Sequence, residues 1–176
     1  GVYIQACSND YGLYMRVPNK SNSSIGSVYK YDTAGLGFVK ILDYESFNYT
    51  RTSLMTGKKR MLLSNVDKIN GNNTKGFAYI ENDSIKLNSA PGFTDAMDYA
   101  IDKITDHIYA LYLQSDPEVF EYGNSILPSR KTKLKMGSAY VPLQVYNGQL
   151  IWQSFDPTYN KFYHILCAGD SIWNTI

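Results

Sequence analysis

Cysteine and histidine are both scarce in these 176 residues, with two of each. Two cysteines make no zinc site alone, and neither His107 nor His164 has a second histidine beside it at ligand spacing. No cofactor is therefore expected. No run of 18 or more apolar residues occurs, which excludes an apolar membrane-spanning helix. Charge of one sign is missing too. The 17 basic and 16 acidic residues nearly cancel, so there is no basic footprint for a nucleic-acid backbone, and nucleic acid is not an expected partner. No internal repeat and no Gly/Ser-rich linker interrupts the chain, and 1–176 reads as a single domain.

What is abundant is tyrosine, 16 residues of it, among many Asn, Ser and Gly. Tyrosine joins apolar area to a hydroxyl and suits half-exposed strands and contact surfaces. A 44% apolar content is enough for a substantial core.

Strands and turns dominate the pattern. Residues 2–7 and 13–17 flank the turn chemistry of Ser8-Asn9-Asp10-Tyr11-Gly12, and 18–26 is a polar loop. Strand-like stretches follow at 28–31, 36–42 and 46–55. Gly57-Lys58-Lys59-Arg60 forms a basic hairpin tip. Asn70-Gly71 is a strong turn signal, across which 61–66 and 76–81 should pair. The clearest hairpin is 139–155 around Asn147-Gly148, and 162–167 is a last apolar strand.

One segment reads differently. Met97, Ile101, Ile104, Ile108 and Leu111 recur at steps of four, three, four and three, which predicts a helix over 93–114 with an apolar stripe. Thr94 and Asp95 would cap it. Asp95, Asp98, Asp102 and Asp106 would share a second face, read as solvated, with a cation site on Asp98, Asp102 and Asp106 as the functional alternative. His107 would lie at the boundary of the two faces. A second short helix is expected over 119–122, and the basic stretch Arg130, Lys131, Lys133 and Lys135 reads as an edge strand guarded by charge. The expected fold is α+β and mainly β: a twisted antiparallel sheet or two-sheet roll with one long helix packed on it.

Chemistry-bearing candidates are few. Asp43 and Glu45 share one face of a strand at i and i+2, the spacing of a carboxylate pair that could act as acid and base. His164 and Cys167, three apart on a strand, point to opposite faces and do not form a thiol–imidazole pair. Cys7 and Cys167 lie near the two ends. A disulfide between them would close a loop of nearly the whole chain, worth about 4–5 kcal/mol in the entropic account, and would place the protein in an oxidising compartment. Asn22, Asn48, Asn72 and Asn82 each head an N-x-S/T triplet, a pattern that suggests a glycosylated exterior. The chain opens at Gly1 rather than Met, as after leader removal or at a fragment boundary.

The run Tyr163-His164-Ile165-Leu166-Cys167-Ala168-Gly169-Asp170-Ser171-Ile172 resembles the first block of the SGNH (GDSL-type) esterases, in which an apolar strand delivers Gly-Asp-Ser. The resemblance would make Ser171 the nucleophile. That family sets the block at the start of its domain with the remaining catalytic residues downstream, whereas here it falls just before Ile176. The resemblance therefore implies at most a domain preceding a severed hydrolase.

The reading that these features favour is a non-catalytic, exported binding or assembly subunit, such as a surface adhesin, a pilus or filament protein or a virion component. Its partner would be a protein or glycan surface, or a second copy in a homo-oligomer. A hydrolase using Ser171 or the Asp43 and Glu45 pair is the alternative, and an intracellular partner-binding domain with two free thiols is a third.

Overall fold

A computed structural model describes residues 3–46, 51–88, 96–112, 118–123, 125–133, 139–156, 161–167 and 174–175, with the backbone alone at 133, 139–142 and beyond 151. These residues form strands and turns, with no helix among them. The chain divides into two compact units, Gly1–Thr94 and Asp95–Ile176.

Unit 1 is a single antiparallel sheet of eight strands. It contains β1 (Gln5–Asn9), β2 (Gly12–Pro18), β3 (Ile25–Asp32), β4 (Gly37–Glu45), β5 (Ser53–Thr56), β6 (Met61–Ile69), β7 (Asn72–Glu81) and β8 (Ser84–Leu87). Neighbours run β1-β2-β3-β4-β6-β7-β8, with β5 also pairing β6. The β4–β6 junction is short, holding only Tyr44 opposite Ile69 and Glu45 opposite Lys68. There the sheet turns over on itself. Tyr14, Val28, Leu42 and Tyr44 from β2–β4 then face Leu54, Met61, Leu63, Val66, Ile69, Ala78 and Ile80 from β5–β7 across one apolar core. Polar contacts draw β1 towards β5: Leu54 N–H donates to Gln5 Oε1 at 3.0 Å, and Thr56 Oγ1 donates to the Ser8 carbonyl at 2.8 Å.

Alternation decides which residues reach that core. On β4, Leu42 and Tyr44 point inward and are 2% exposed, while Asp43 and Glu45 point out. The two-residue turns Asn70-Gly71 and Asn82-Asp83 have positive φ at both positions, as type I′ hairpins require. The expected pairing across Asn70-Gly71 is present, from Met61 opposite Ile80 to Val66 opposite Gly76.

Unit 2 contains β9 (Asp98–Ile101), β10 (Ile108–Tyr112), β11 (Glu118–Tyr122), β12 (Arg130–Lys133), β13 (Ala139–Tyr146), β14 (Gln149–Asp156), β15 (Lys161–Cys167) and β16 (Asn174–Thr175). One sheet runs β16-β12-β11-β10-β9 and a second β13-β14-β15, all antiparallel. Leu143 and Leu150 of the Asn147-Gly148 hairpin pack on Ala100, Tyr109, Leu111 and Val119 of the first sheet.

The architecture is all-β, and the α+β expectation is overturned at its central element. In place of a helix over 93–114 stands the hairpin β9–β10, in which Ile101 and Ile108 sit directly opposite each other. All of β10 is buried, and a strand covered on both faces shows no alternation, so its apolar residues matched a helical spacing by accident. Ile104, placed on the apolar stripe by that spacing, is 46% exposed in the turn. The short helix expected over 119–122 is likewise a strand, β11, paired on both sides. The basic stretch is not an edge at Arg130 and Lys131, because both pair with β16.

Candidate functional site

The outward face of unit 1 carries a cleft of about 410 Å³, within the usual range for small-ligand sites. Its floor is the exposed face of β3 and β4, with Ser27, Tyr29, Asp43 and Glu45. The ends of β2 and β3 wall one side, and Lys68 with the Asn70-Gly71 turn walls the other. The carboxylates that sequence spacing placed together, Asp43 and Glu45, thus do share a concave surface.

Both are already engaged. Asp43 Oδ1 accepts from Ser27 Oγ at 2.5 Å and Oδ2 from Lys40 Nζ at 2.9 Å. Glu45 Oε2 accepts from Lys68 Nζ at 2.8 Å. Asn70 fixes the wall to the floor: its Oδ1 accepts the Asp43 N–H at 2.8 Å and its N–H donates to the Asp43 carbonyl at 2.9 Å. The Ser27 hydroxyl, followed by Lys40, holds the Asp43 carboxyl below its ordinary range. The hydrogen bonds to Asp43 and Glu45 raise Lys40 and Lys68 in turn. An acid–base pair needs one carboxyl kept protonated near neutrality. Asp43 is shifted the opposite way, so it would be the ionised member of such a pair, an acceptor and not the proton donor.

A second polar constellation lies in unit 2. Glu121 is 1% exposed, on the same side of β11 as Val119. Its Oε1 meets His107 Nδ1 and Tyr109 Oη at 2.8 Å each and Arg130 Nη2 at 2.9 Å, and Arg130 Nε donates to Oε2. Burial pushes this carboxyl up, but the bonds from His107, Arg130 and Tyr109 outweigh it and bring it down to about 2. Burial first, and then the bond to Glu121, raise the Tyr109 hydroxyl. A carboxylate so fully bonded has little capacity left for a ligand, and the cluster reads as a structural anchor.

The aspartates expected on a helical face instead organise a turn. Asp98 Oδ2 accepts the Leu143 N–H at 2.7 Å, and Asp102 accepts the N–H groups of Ile104 at 2.9 Å and Gly148 at 2.6 Å. Asp102 is fully buried, and Asp106 is 8% exposed with φ of 62°. The solvated acidic face is therefore corrected for Asp102 and Asp106. Asp98 and Asp102 spend their oxygens on amides, and no three His, Cys, Asp or Glu side chains converge as a metal set among the described residues. Burial pushes the Asp102 carboxyl up, yet the amides of Ile104, Gly148 and Asn147 and the Thr105 hydroxyl more than offset it, leaving the group below its ordinary range.

Ser171, Asp95, Lys135 and Asn48 lie outside the described residues, as do the side chains of His164 and Cys167. Cys7 is half-buried on β1 against the unit 1 core, and no disulfide forms among the described side chains. Of the basic tip, Lys58 and Lys59 are exposed, while Arg60 is buried with its guanidinium 4.8 Å from the Tyr79 ring centre and beside Glu81. Sequence reasoning missed Ser27, Tyr29, Lys68 and Asn70, which line the cleft, and Lys40, which pairs with Asp43 beside it. Strand alternation alone would have placed Ser27 and Tyr29 on one face, whereas Lys68 arrives only through the β4–β6 register. It also missed Glu121, which sat inside an expected helix.

No family model, curated protein or solved structure matches this chain. What can be said of its chemistry rests on these side chains alone.

Proposed function

We propose that this protein is a non-catalytic binding subunit, exported or displayed on a surface, that takes its ligand in the unit 1 cleft. One observation carries the reading. The cleft holds two carboxylates, each locked to a lysine, in a recess sized for a small ligand or for one unit of a larger one. Such a site offers donors and acceptors held in place for the polar groups of a ligand. The wealth of tyrosine supports a contact role as well. No helix among the described residues is long and apolar enough to cross a membrane, a statement that leaves crossing by strands untouched. Export is favoured by the expected Cys7–Cys167 bridge and the N-x-S/T triplets at Asn22, Asn48, Asn72 and Asn82. Mass analysis of unreduced, alkylated protein tests the bridge, and two alkylated thiols in freshly isolated protein would remove that support.

The test of the cleft uses the intact chain and a Ser27→Trp variant, which fills the recess from its floor. Immobilised protein is screened against a panel of neutral and charged glycans, short peptides and extracellular matrix proteins. Capture that disappears in Ser27→Trp is expected. Capture unaffected by that variant would move the binding site elsewhere, and no capture by folded protein would overturn the reading. Turnover of p-nitrophenyl glycosides, abolished by Asp43→Asn, would replace it with the hydrolase alternative.

A further inference from the structure

The chemistry of the cleft narrows its ligand, on the reading that the cleft is the binding site. We infer that it takes a neutral saccharide, with one pyranose ring against Tyr29 and its hydroxyls bridging the Asp43–Lys40 and Glu45–Lys68 pairs.

Charge is the first argument. Asp43 and Glu45 are balanced by Lys40 and Lys68 at 2.9 and 2.8 Å. A charged ligand would meet an equal charge of its own sign as well as the opposite one, so it gains little net attraction. A wholly apolar ligand would strip water from four charged groups and return nothing to them. A polyol does neither, since each hydroxyl both donates and accepts and can bridge a carboxylate oxygen and an ammonium. These side chains are 41–54% exposed, so part of each remains open to a ligand.

The floor supplies the second argument. Tyr29 lines the recess beside Ser27 and Asp43, and an aromatic ring next to hydrogen-bonding side chains matches a pyranose, which has apolar C–H faces and a polar rim. The β3 and β4 backbones are paired to each other along the floor, so it offers no free strand edge to an extended peptide. Tyr31, two residues along the same face of β3, packs edge to face with Phe38 at 5.3 Å. Phe38 is 41% exposed. The aromatic surface thus continues past Tyr29 and can carry a second ring of an oligosaccharide.

Binding is followed by NMR titration of the intact protein with methyl glycosides of glucose, galactose and mannose, the corresponding β-linked disaccharides, glucuronic acid, glucosamine and a dipeptide set. The expected result is saturable shifts of Ser27, Tyr29 and Asn70 amides by at least one neutral pyranoside, with a Kd on the order of 1 mM. Weaker binding of both charged sugars is expected alongside. Tyr29→Ala and Asp43→Asn should each weaken binding about tenfold, Tyr29→Phe should retain it, and Phe38→Ala should affect the disaccharide alone. Retention in Tyr29→Phe guards against loss by misfolding. If no neutral sugar shifts those amides while another panel member does, and Ser27→Trp blocks it, the cleft stands as the binding site and the saccharide assignment falls. If nothing shifts them, both fall.

Discussion

Asp102 and Gly148 are joined across 46 residues of chain by a 2.6 Å hydrogen bond, from the Gly148 N–H to Asp102 Oδ2. The same carboxylate accepts the Ile104 N–H. One buried side chain therefore closes the β9–β10 turn and seats the tip of the β13–β14 hairpin against it. Asp98, four residues earlier, repeats the device on Leu143.

Replacing Asp102 by Ala leaves the amides of Ile104, Gly148 and Asn147 without their acceptor at a fully buried site, and a loss of about 2–4 kcal/mol is expected. Asp102→Lys, which would change nothing on a solvated face, should unfold unit 2. Urea titration with unchanged m-value reads the first. A midpoint within experimental error of wild type for Asp102→Lys would contradict the buried placement.

This pairing also shows where the sequence was legible. Hairpins governed by neighbours could be read directly: Asn70-Gly71 and Asn147-Gly148 adopt positive φ because Asn and Gly tolerate it, and the strands beside them pair as expected. The segment 93–114 could not, because strands buried on both faces lose the alternation that identifies them, and Asp102 finds Gly148 only through tertiary structure. The cleft divides the same way. Alternation placed Asp43 and Glu45 side by side, but the ion pair of Glu45 with Lys68 and the tie of Asn70 to the Asp43 backbone come only through the β4–β6 junction.

Glu121 makes stability depend on acid. Its carboxyl titrates at about 2 in the folded protein and near the ordinary glutamate value, about 4.3, when unfolded. A lowered folded value means that the stabilisation is complete above the unfolded value and is lost as pH falls from there through about 2. Wild type should lose stability across that window, and Glu121→Gln, already weakened at neutral pH, should show a shallower slope there. Parallel slopes for the two proteins would place the acid sensitivity elsewhere.

Gly26 is required by close approach. A Cβ there would lie 2.5 Å from Tyr44 Oη and 2.6 Å from the Val17 carbonyl. Tyr44 Oη in turn accepts from the buried Arg16 Nη1 at 3.0 Å. Gly26→Ala should push Tyr44 off Arg16 and cost about 2–3 kcal/mol. Tyr44→Phe removes only the acceptor and should cost less, about 1–2 kcal/mol. The double variant should recover little, because the clash with the Val17 carbonyl remains. Thermal midpoints of the three variants decide this, and full recovery in the double variant would locate the whole clash at the hydroxyl.

Asn70 combines a backbone demand with a wall of the cleft, and two substitutions separate them. Its φ of 50° costs a residue such as Ala about 1 kcal/mol, whereas Gly accepts it. Its side chain holds the Asp43 N–H at 2.8 Å, an exposed bond worth about 0.5–1 kcal/mol. Asn70→Gly should therefore lose only the side-chain bond, apart from the added freedom of the unfolded chain, and Asn70→Ala should lose that bond and incur the left-handed strain as well. Both should weaken ligand capture in the cleft, because both release the Asp43 N–H from the turn and loosen one wall. If Asn70→Ala weakens capture while Asn70→Gly leaves it at the wild-type level, the backbone angle of the turn shapes the cleft and the bond to Asp43 does not.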